Sequence, residues 1–226
     1  MSAAATSPEA LAILLREAAA ELGVALSEAQ LRQFLAYLDE LLLWAPKVNL
    51  TAIREPRAIV LKHFADSLAP LPHIEGCASL LDLGSGAGLP GLALKIARPE
   101  LRLVSVEARR RKVSFQEAVV RRLKLEGVEV IWGRLGPGSR LVPEASVACA
   151  ISRAVDAAAF LTAAAPLTAP GGRLIVMRGK PGEALAPPPG LTLAREVAYR
   201  LPVLGDDRGL AIFEKMLDNS LDKPRP

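Results

Sequence analysis

The chain has 226 residues, of which 51% are hydrophobic and 23% are charged, and its formal net charge is +4. This length and composition are typical of a globular protein with one sizeable core. No apolar run approaches the roughly 20 residues of a membrane-spanning helix, and the N-terminal sequence lacks the basic flank and apolar stretch of a secretory signal. We therefore expect a cytoplasmic protein that makes no membrane contact.

The two cysteines, Cys77 and Cys149, lie far apart in the sequence and have no CxxC or histidine-rich spacing around them. This pattern predicts neither a disulfide scaffold nor a metal site. We expect two buried, reduced thiols.

Helical patterns fill the first part of the chain. Leucines and alanines recur at helical spacing over residues 8–22. A capping box at Ser27 begins a second, leucine-rich helix, which ends at Pro46. A third helix is predicted over 57–68. Residues 1–75 are therefore interpreted as a helical N-terminal extension.

From residue 76 onward, short apolar runs alternate with helical segments. The predicted strands are 78–83, 101–106, 128–132, 146–151, 173–177, 192–203 and 210–216, and the predicted helices are 91–97, 109–125 and 156–167. Continuous apolar strands that alternate with helices indicate a parallel sheet with helices on both faces. The last two strands, joined by a Gly-Asp-Asp-Arg-Gly turn, read as an antiparallel hairpin. The expected fold class is α/β, with a Rossmann-like domain over 76–217 and a flexible tail over 218–226.

The most informative segment is 82–91, Asp-Leu-Gly-Ser-Gly-Ala-Gly-Leu-Pro-Gly, directly after the first predicted strand. Glycines here let the backbone turn tightly into a helix and let a ligand approach the main chain. Two cofactor patterns fit this segment. Gly86, Gly88 and Gly91 match the dinucleotide pattern G-x-G-x-x-G. The set Asp82, Gly84, Gly86 and Gly88 matches D-x-G-x-G-x-G, the S-adenosylmethionine pattern of class I methyltransferases.

Two acidic residues help to choose between these cofactors. Glu107 ends the second predicted strand, where an acid would hold ribose hydroxyls in either case. Asp82 favours S-adenosylmethionine, because a carboxylate would repel a pyrophosphate but attract the ammonium of an amino acid. The alternative interpretation of Asp82 is a cap for the loop amides. A dehydrogenase would also need a substrate domain, for which the chain has no room.

Several further stretches resemble one family. They are Asn-Leu-Thr-Ala-Ile at 49–53, His-Phe-Ala-Asp-Ser-Leu at 63–68, the glycine segment with its Gly-Leu-Pro-Gly ending, Ile-Ser-Arg-Ala-Val at 151–155 and Met-Arg-Gly-Lys at 177–180. Together they resemble the bacterial GidB/RsmG family, which methylates a guanine N7 in 16S ribosomal RNA with S-adenosylmethionine. The resemblance implies a class I methyltransferase fold.

The resemblance also implies cofactor contacts, which are carried over by position. They fall on Gly84, Leu89, Glu107, Leu135, Gly136 and Arg153. Many relatives have Ala-Glu where this chain has Leu135-Gly136, so the expected contact to the adenine here is from the backbone.

Arg153 and His63 are the side chains most open to interpretation. Arg153 follows a buried strand at the ligand-binding edge of the sheet, where it could bind the cofactor carboxylate or steady the target nucleotide. The alternative is a structural ion pair with an acid such as Asp156. His63 is expected to be structural and to be oriented by Asp66, because guanine N7 has no proton for a base to remove. Arg153 is thus the candidate positioning residue, and no other catalytic residue is assigned.

Basic residues are concentrated between 108 and 124, where seven cations face a single acid, Glu117. A solvated helix face is the usual meaning of such a pattern, but so few intrahelical partners favour phosphate contact. The predicted RNA-binding residues are Arg110, Arg111, Arg121, Arg122, Lys124 and Lys180. The aromatic content of 4% argues against recognition by base stacking.

The sequence therefore predicts a monomeric methyltransferase whose partner is 16S ribosomal RNA or the small ribosomal subunit. Two alternatives stay open. One is a methyltransferase that acts on a protein or a small molecule, and the other is a nicotinamide-dinucleotide-binding module.

Overall fold

The structure is a computed structural model that describes residues 7–134, 139–181 and 185–217. The predicted tail, 218–226, lies outside the described residues. Among the described residues, no helix combines the length and the apolar composition that a membrane span requires.

A seven-stranded sheet with strand order β3-β2-β1-β4-β5-β7-β6 forms the centre of the fold. The strands are β1 Ser79–Leu83, β2 Arg102–Glu107, β3 Val128–Trp132, β4 Val147–Arg153, β5 Thr168–Arg178, β6 Leu191–Arg200 and β7 Asp207–Lys215. The first five are parallel, and β7 runs antiparallel to both β5 and β6. The predicted parallel sheet with a terminal hairpin is confirmed.

Helices cover both faces of the sheet. They are α1 Pro8–Glu21, α2 Glu28–Trp44, α3 Pro56–Ile59, α4 Asp66–Leu68, α5 Gly91–Ala97, α6 Arg110–Leu123 and α7 Ala157–Ala164. One apolar cluster joins α1 and α2 to α5, α6 and one face of the sheet, and a second places α7 on the other face. The N-terminal helices thus share the core of the sheet domain.

The third predicted helix is not regular. A π-helical stretch, Val60–Ala65, separates α3 from α4. A π-helix bonds residue i to i+5 and so has a wider turn than an α-helix. Residues three apart, such as His63 and Asp66, therefore do not share a face as they would on an α-helix.

The expectation of two reduced thiols is wrong, because the structure joins Cys77 and Cys149 in a disulfide across 72 residues of sequence. The reason is the sheet register. Cys149 on β4 pairs with Leu80 on β1, and Cys77 lies just before β1, so the two Cα atoms come within 6.1 Å.

Candidate active site

Three adjoining cavities lie along the carboxyl ends of the parallel strands, which is the edge where open α/β sheets bind ligands. The strand-end cavity, about 320 Å³, is walled mainly by residues 83–84, 106–108, 133–134 and 155–163. The loop cavity, about 230 Å³, lies between residues 50–51, the glycine loop 84–89 and Arg153. The large cavity, about 1040 Å³, lies between residues 62–66, 153–158, 176–181 and Arg208. Gly84 and Glu107 face the first two cavities, and His63 and Arg153 face the last two.

Two glycines of the loop are required by close approach as well as by backbone angle. Gly84 has φ +72°, and a Cβ there would lie 2.6 Å from Cγ2 of Val155. Gly88 has φ +81°, and a Cβ there would lie 2.4 Å from Cδ1 of Leu92. Side chains are disfavoured at positive φ, so both steric and conformational reasons select glycine. Gly88 packs towards α5 and α2. Gly84, Gly86 and Leu89 line the loop cavity, and their contact with a cofactor stays a prediction.

A buried polar network, which the sequence analysis missed, connects the glycine loop to α6 and β2. The Gln116 Nε2 amide on α6 donates to Ser85 Oγ at 2.8 Å and to the Gly86 carbonyl at 2.9 Å. Its Oε1 accepts from Ser105 Oγ at 2.6 Å. Gln116 is fully buried, and buried polar groups that are fully satisfied rigidify their surroundings. The available signal was a glutamine beside Phe115 on the apolar face of an amphipathic helix.

The N-terminal extension also contacts the glycine loop, through α2. Tyr37 on α2 is completely buried, and its hydroxyl donates to the Ala87 carbonyl. Burial raises the pKa of Tyr37 well above its ordinary value, so the phenol keeps the proton that it donates. The prediction that Tyr37 belongs to the core is confirmed, and its hydroxyl gives it a second role at the loop.

Glu107 lies where the sequence placed it, at the end of β2 between the strand-end and loop cavities. Its Oε2 accepts from the Gly86 amide at 2.9 Å and its Oε1 from the Arg109 amide at 2.7 Å. A carboxylate offers about four lone-pair sites. Two acceptor sites are therefore not used by these two backbone bonds.

Asp82 lies beneath the loop rather than in it. Its Oδ2 accepts from the Gly91 amide, the first residue of α5, at 2.8 Å, which is the capping role weighed as the alternative. The side chain is fully buried, none of the three cavities has it in its wall, and its Oδ1 finds no hydrogen-bond partner among the described residues. Burial raises the pKa of Asp82 to about 7. Direct contact between Asp82 and the cofactor stays a prediction.

The predicted partner of His63 is wrong, and its structural role stays a prediction. Its Nε2 lies 2.7 Å from the Thr51 hydroxyl, whereas Asp66 contacts other groups, because the π-helical stretch changes the phase between them. Burial, together with the charge of Arg153, lowers the pKa of His63 to about 4. The imidazole is therefore neutral at neutral pH.

Arg153 ends β4 and does pair with an acid, although not with the suggested one. Its NH1 donates to Asp66 Oδ2 at 3.3 Å. Asp156 instead caps α7 by accepting from the Ala159 amide at 2.8 Å. The guanidinium borders both the loop cavity and the large cavity.

The predicted RNA-binding residues do not form one patch. All six are exposed, but α6 runs away from the cavities over 14 residues, about 20 Å at 1.5 Å per residue. Arg110 and Arg111 therefore lie near the cavities, and Arg121, Arg122 and Lys124 near the opposite edge of the sheet. The structure adds partners for two of them: Arg110 lies over the Trp132 ring, and Arg122 pairs with Glu40 at 3.4 Å.

Among the described residues, seven cations border the three cavities: Lys62, Lys112, Arg134, Arg153, Arg178, Lys180 and Arg208. Lys180 faces the large cavity, and its contact with RNA stays a prediction. Lys62 and Arg208, which the sequence analysis missed, face the same cavity. Lys112, in the first turn of α6, faces the loop cavity. The predicted adenine contacts, Leu135 and Gly136, lie outside the described residues, while the preceding Arg134 borders the strand-end cavity.

Comparison with known proteins identifies the family. Residues 30–185 match the family model described as GidB, rRNA small subunit methyltransferase G. The chain belongs to the GidB family. A ribosomal RNA small subunit methyltransferase G from Myxococcus xanthus is 43% identical over 186 residues, which are 79% of this chain and 85% of that protein. Another from Geotalea uraniireducens is 39% identical and covers 91% of this chain and 97% of that protein.

Solved structures confirm the fold of this GidB-family chain. A SAM-dependent methyltransferase from Aquifex aeolicus superposes with a TM-score of 0.53 at 19% identity, over 72% of this chain and 94% of that one. The tRNA methyltransferase TrmK from B. subtilis superposes with a TM-score of 0.54 at 14% identity, over 70% of this chain and 68% of that one. The class I methyltransferase fold is therefore confirmed.

The residues of the site fit S-adenosylmethionine, the cofactor of this class. The strand-end cavity has apolar walls suited to a planar base, among them Val106, Ala159 and Phe160. Glu107 offers its two remaining acceptor sites where ribose hydroxyls would lie. The loop cavity adds Lys112 and Arg153, which can pair with an amino-acid carboxylate.

Proposed function

We propose that this chain transfers a methyl group from S-adenosylmethionine to N7 of a guanine in 16S ribosomal RNA. The observation that carries the proposal is the junction of cavities at Arg153. A cofactor-sized pair of cavities built on the glycine loop opens there beside a much larger cavity that is bordered by cations. Membership of the GidB family supplies the substrate class.

We propose the orientation of the cofactor from the residues that line the strand-end and loop cavities. Its adenosine would lie in the strand-end cavity, with Glu107 on the ribose. Its methionine would lie in the loop cavity against Gly84, Gly86 and Leu89. Besides the predicted contacts of Asp82 and Gly88 with the cofactor, we infer that both support the loop itself, Asp82 through its bond from the Gly91 amide and Gly88 through its close approach to Leu92.

The bound cofactor supplies a methyl group on a sulfonium: the new bond forms from the N7 lone pair, and the carbon–sulfur bonding pair returns to sulfur. N7 carries no proton, so the chain needs no general base. His63, whose pKa is lowered to about 4, is a weak base, which agrees with this requirement. The work of the chain is to hold both reactants in line and to exclude water, which assigns Arg153 a positioning role at the junction.

The large cavity would receive the target nucleotide. The major groove of A-form RNA, where N7 lies, is too narrow for side chains, so the target guanine is inferred to be unpaired or splayed out. Lys62, Lys180 and Arg208 border the cavity and can contact the adjoining phosphates. The exposed cations of α6 would then contact RNA up to about 20 Å away. We further infer that the chain acts as a monomer in the cytoplasm, where ribosomal subunits are found.

Methyl transfer from labelled S-adenosylmethionine tests the proposal. Small ribosomal subunits and deproteinised 16S RNA, both from cells that lack the modification, serve as acceptors, and the digested RNA is analysed by nucleoside. We expect label in 7-methylguanosine. Label in protein, or a bound cofactor with no labelled RNA, would refute the RNA substrate, and preferential binding of NAD would refute the cofactor.

Two variants test the assignment of cations in the same assay. Lys180→Ala should raise the KM for RNA severalfold and leave the cofactor dissociation constant unchanged. Arg102→Ala is the control, because it removes an exposed cation at the opposite end of the sheet, where β2 begins. Equal effects of the two variants would show that the large cavity does not bind the RNA.

A further inference from the structure

Asp66, on α4 at the wall of the large cavity, has a different partner on each of its two oxygens. Its Oδ2 accepts from Arg153 NH1 at 3.3 Å. Its Oδ1 accepts from the Tyr199 hydroxyl at 2.8 Å and lies 3.7 Å from Nε of Arg208. Tyr199 belongs to β6 and Arg208 to β7, so both partners of Oδ1 come from the terminal hairpin. The other oxygen, Oδ2, contacts Arg153. The Asp66 side chain is only 9% exposed.

Arg153 has few other restraints on its guanidinium. The backbone at this point is fixed, because Arg153 pairs with Met177 across the sheet and Ala154 turns the chain with φ +61°. Within residues 7–134, 139–181 and 185–217, the guanidinium has one other acceptor besides Asp66, the Lys62 carbonyl at 3.5 Å, which is a long contact. The direction of the side chain is therefore set chiefly by Asp66.

We propose that Asp66 is a positioning residue that aims Arg153 at the junction of the loop and large cavities. The inference rests on the proposed function for the identity of the two reactants. Without the carboxylate, Arg153 would share its surroundings with Arg208 and Lys62, which also border the large cavity. Repulsion between these like charges would turn the guanidinium away from the junction. The negative charge of Asp66, 3.3 Å from Arg153 NH1, offsets this repulsion.

The test substitutes Asp66→Asn, which keeps the shape of the side chain and removes its charge. Asp207→Asn is the matched control, because it removes the same charge from an exposed ion pair with Arg200 outside the cavities. Each is combined with Arg153→Ala in a double-mutant cycle. The readouts are kcat and KM for RNA methylation, the dissociation constant of S-adenosylmethionine and the thermal midpoint.

We expect Asp66→Asn to lower kcat at least tenfold and to weaken cofactor binding at least threefold. The KM for RNA should not rise, because the loss of a negative charge makes the cavity more positive. In the Arg153→Ala background the same substitution should change either value less than twofold. Additive effects of Asp66→Asn and Arg153→Ala would overturn the proposal, since they would mean that Asp66 acts through general stability. So would an Asp66→Asn protein that matches Asp207→Asn in both readouts.

The cofactor readout keeps the two proposals separable. If the wild-type chain methylates no RNA, the proposed substrate fails, and the coupling of Asp66 to Arg153 is still decided by cofactor dissociation constants. If the wild-type chain methylates RNA and the cycle is additive in both readouts, only the positioning role fails.

Discussion

Two buried titratable groups beside the site, Asp82 and His63, should have opposite effects on stability as pH changes. The pKa of Asp82 is raised from 3.8 to about 7, and that of His63 is lowered from 6.5 to about 4, both chiefly by burial. Between pH 4 and pH 7 the folded state keeps a proton on Asp82 that the unfolded state has lost. Between pH 4 and pH 6.5 the unfolded state holds a proton on His63 that the folded state lacks.

The signs follow from proton linkage, in which stability rises with pH wherever the unfolded state binds more protons. The Asp82 contribution therefore falls by about 2 kcal/mol from pH 5 to pH 7, while the His63 contribution rises by about 2 kcal/mol over the same interval. In the wild-type protein the two trends nearly cancel. A variant that removes one of the two titratable groups should therefore reveal the pH dependence that the other group contributes.

Chemical denaturation of three proteins at pH 5, 6 and 7 measures these trends. In Asp82→Asn, whose amide oxygen can still accept from Gly91, stability should rise from pH 5 to pH 7 by about 2 kcal/mol relative to the wild type. In His63→Gln it should fall by about 2 kcal/mol relative to the wild type. If both differences from the wild type are flat across this interval, the two groups are not held neutral by burial, and the reasoning is refuted.

Three further predictions concern the glycine loop. Gly88→Ala should lower the free energy of unfolding by about 2 kcal/mol or more in urea, because its Cβ meets Leu92 at 2.4 Å. Gly23→Ala, with a similar φ but open space, should cost only about 1 kcal/mol, and equal losses would contradict the steric argument. Gln116→Leu should weaken cofactor binding at least tenfold in calorimetry, and unchanged binding would show that the network does not shape the loop. Tyr37→Phe should lower the free energy of unfolding by about 1 kcal/mol. An unchanged urea midpoint would show that the hydrogen bond from the Tyr37 hydroxyl does not stabilise the fold.

The sheet could be predicted because its information is local. The strands β1 to β4 are short and mostly apolar, and the predicted strand at 128–132 matches β3 at both ends. The strand at 173–177 was predicted too short, since β5 begins at Thr168 and continues through Gly171 and Gly172. Glycine and proline weaken a strand pattern, so only the sheet pairing shows that these residues extend the strand.

The side-chain partners at the site could not be predicted in the same way. Asp66 meets Arg153 across 87 residues and Tyr199 across 133, and the sequence gives no register between such distant segments. The nearest available partner, His63, was chosen on α-helical spacing, which the π-helical stretch does not follow. The glycine loop and Glu107, by contrast, are adjacent to predicted strand ends, and their positions followed from the strands.

The N-terminal helices are best understood as part of the site rather than as an appended module. On α2, Gln30 donates to the Ile96 and Ala97 carbonyls at the end of α5, and Gln33 donates to the Leu123 carbonyl at the end of α6. These carbonyls are among those that a helix leaves without partners at its C-terminus. Because α5 and α6 begin at the glycine loop and at Glu107, the contacts restrain both helices that frame the cofactor cavities. We therefore propose that the boundary near residue 75 separates two sequence patterns within one folding unit.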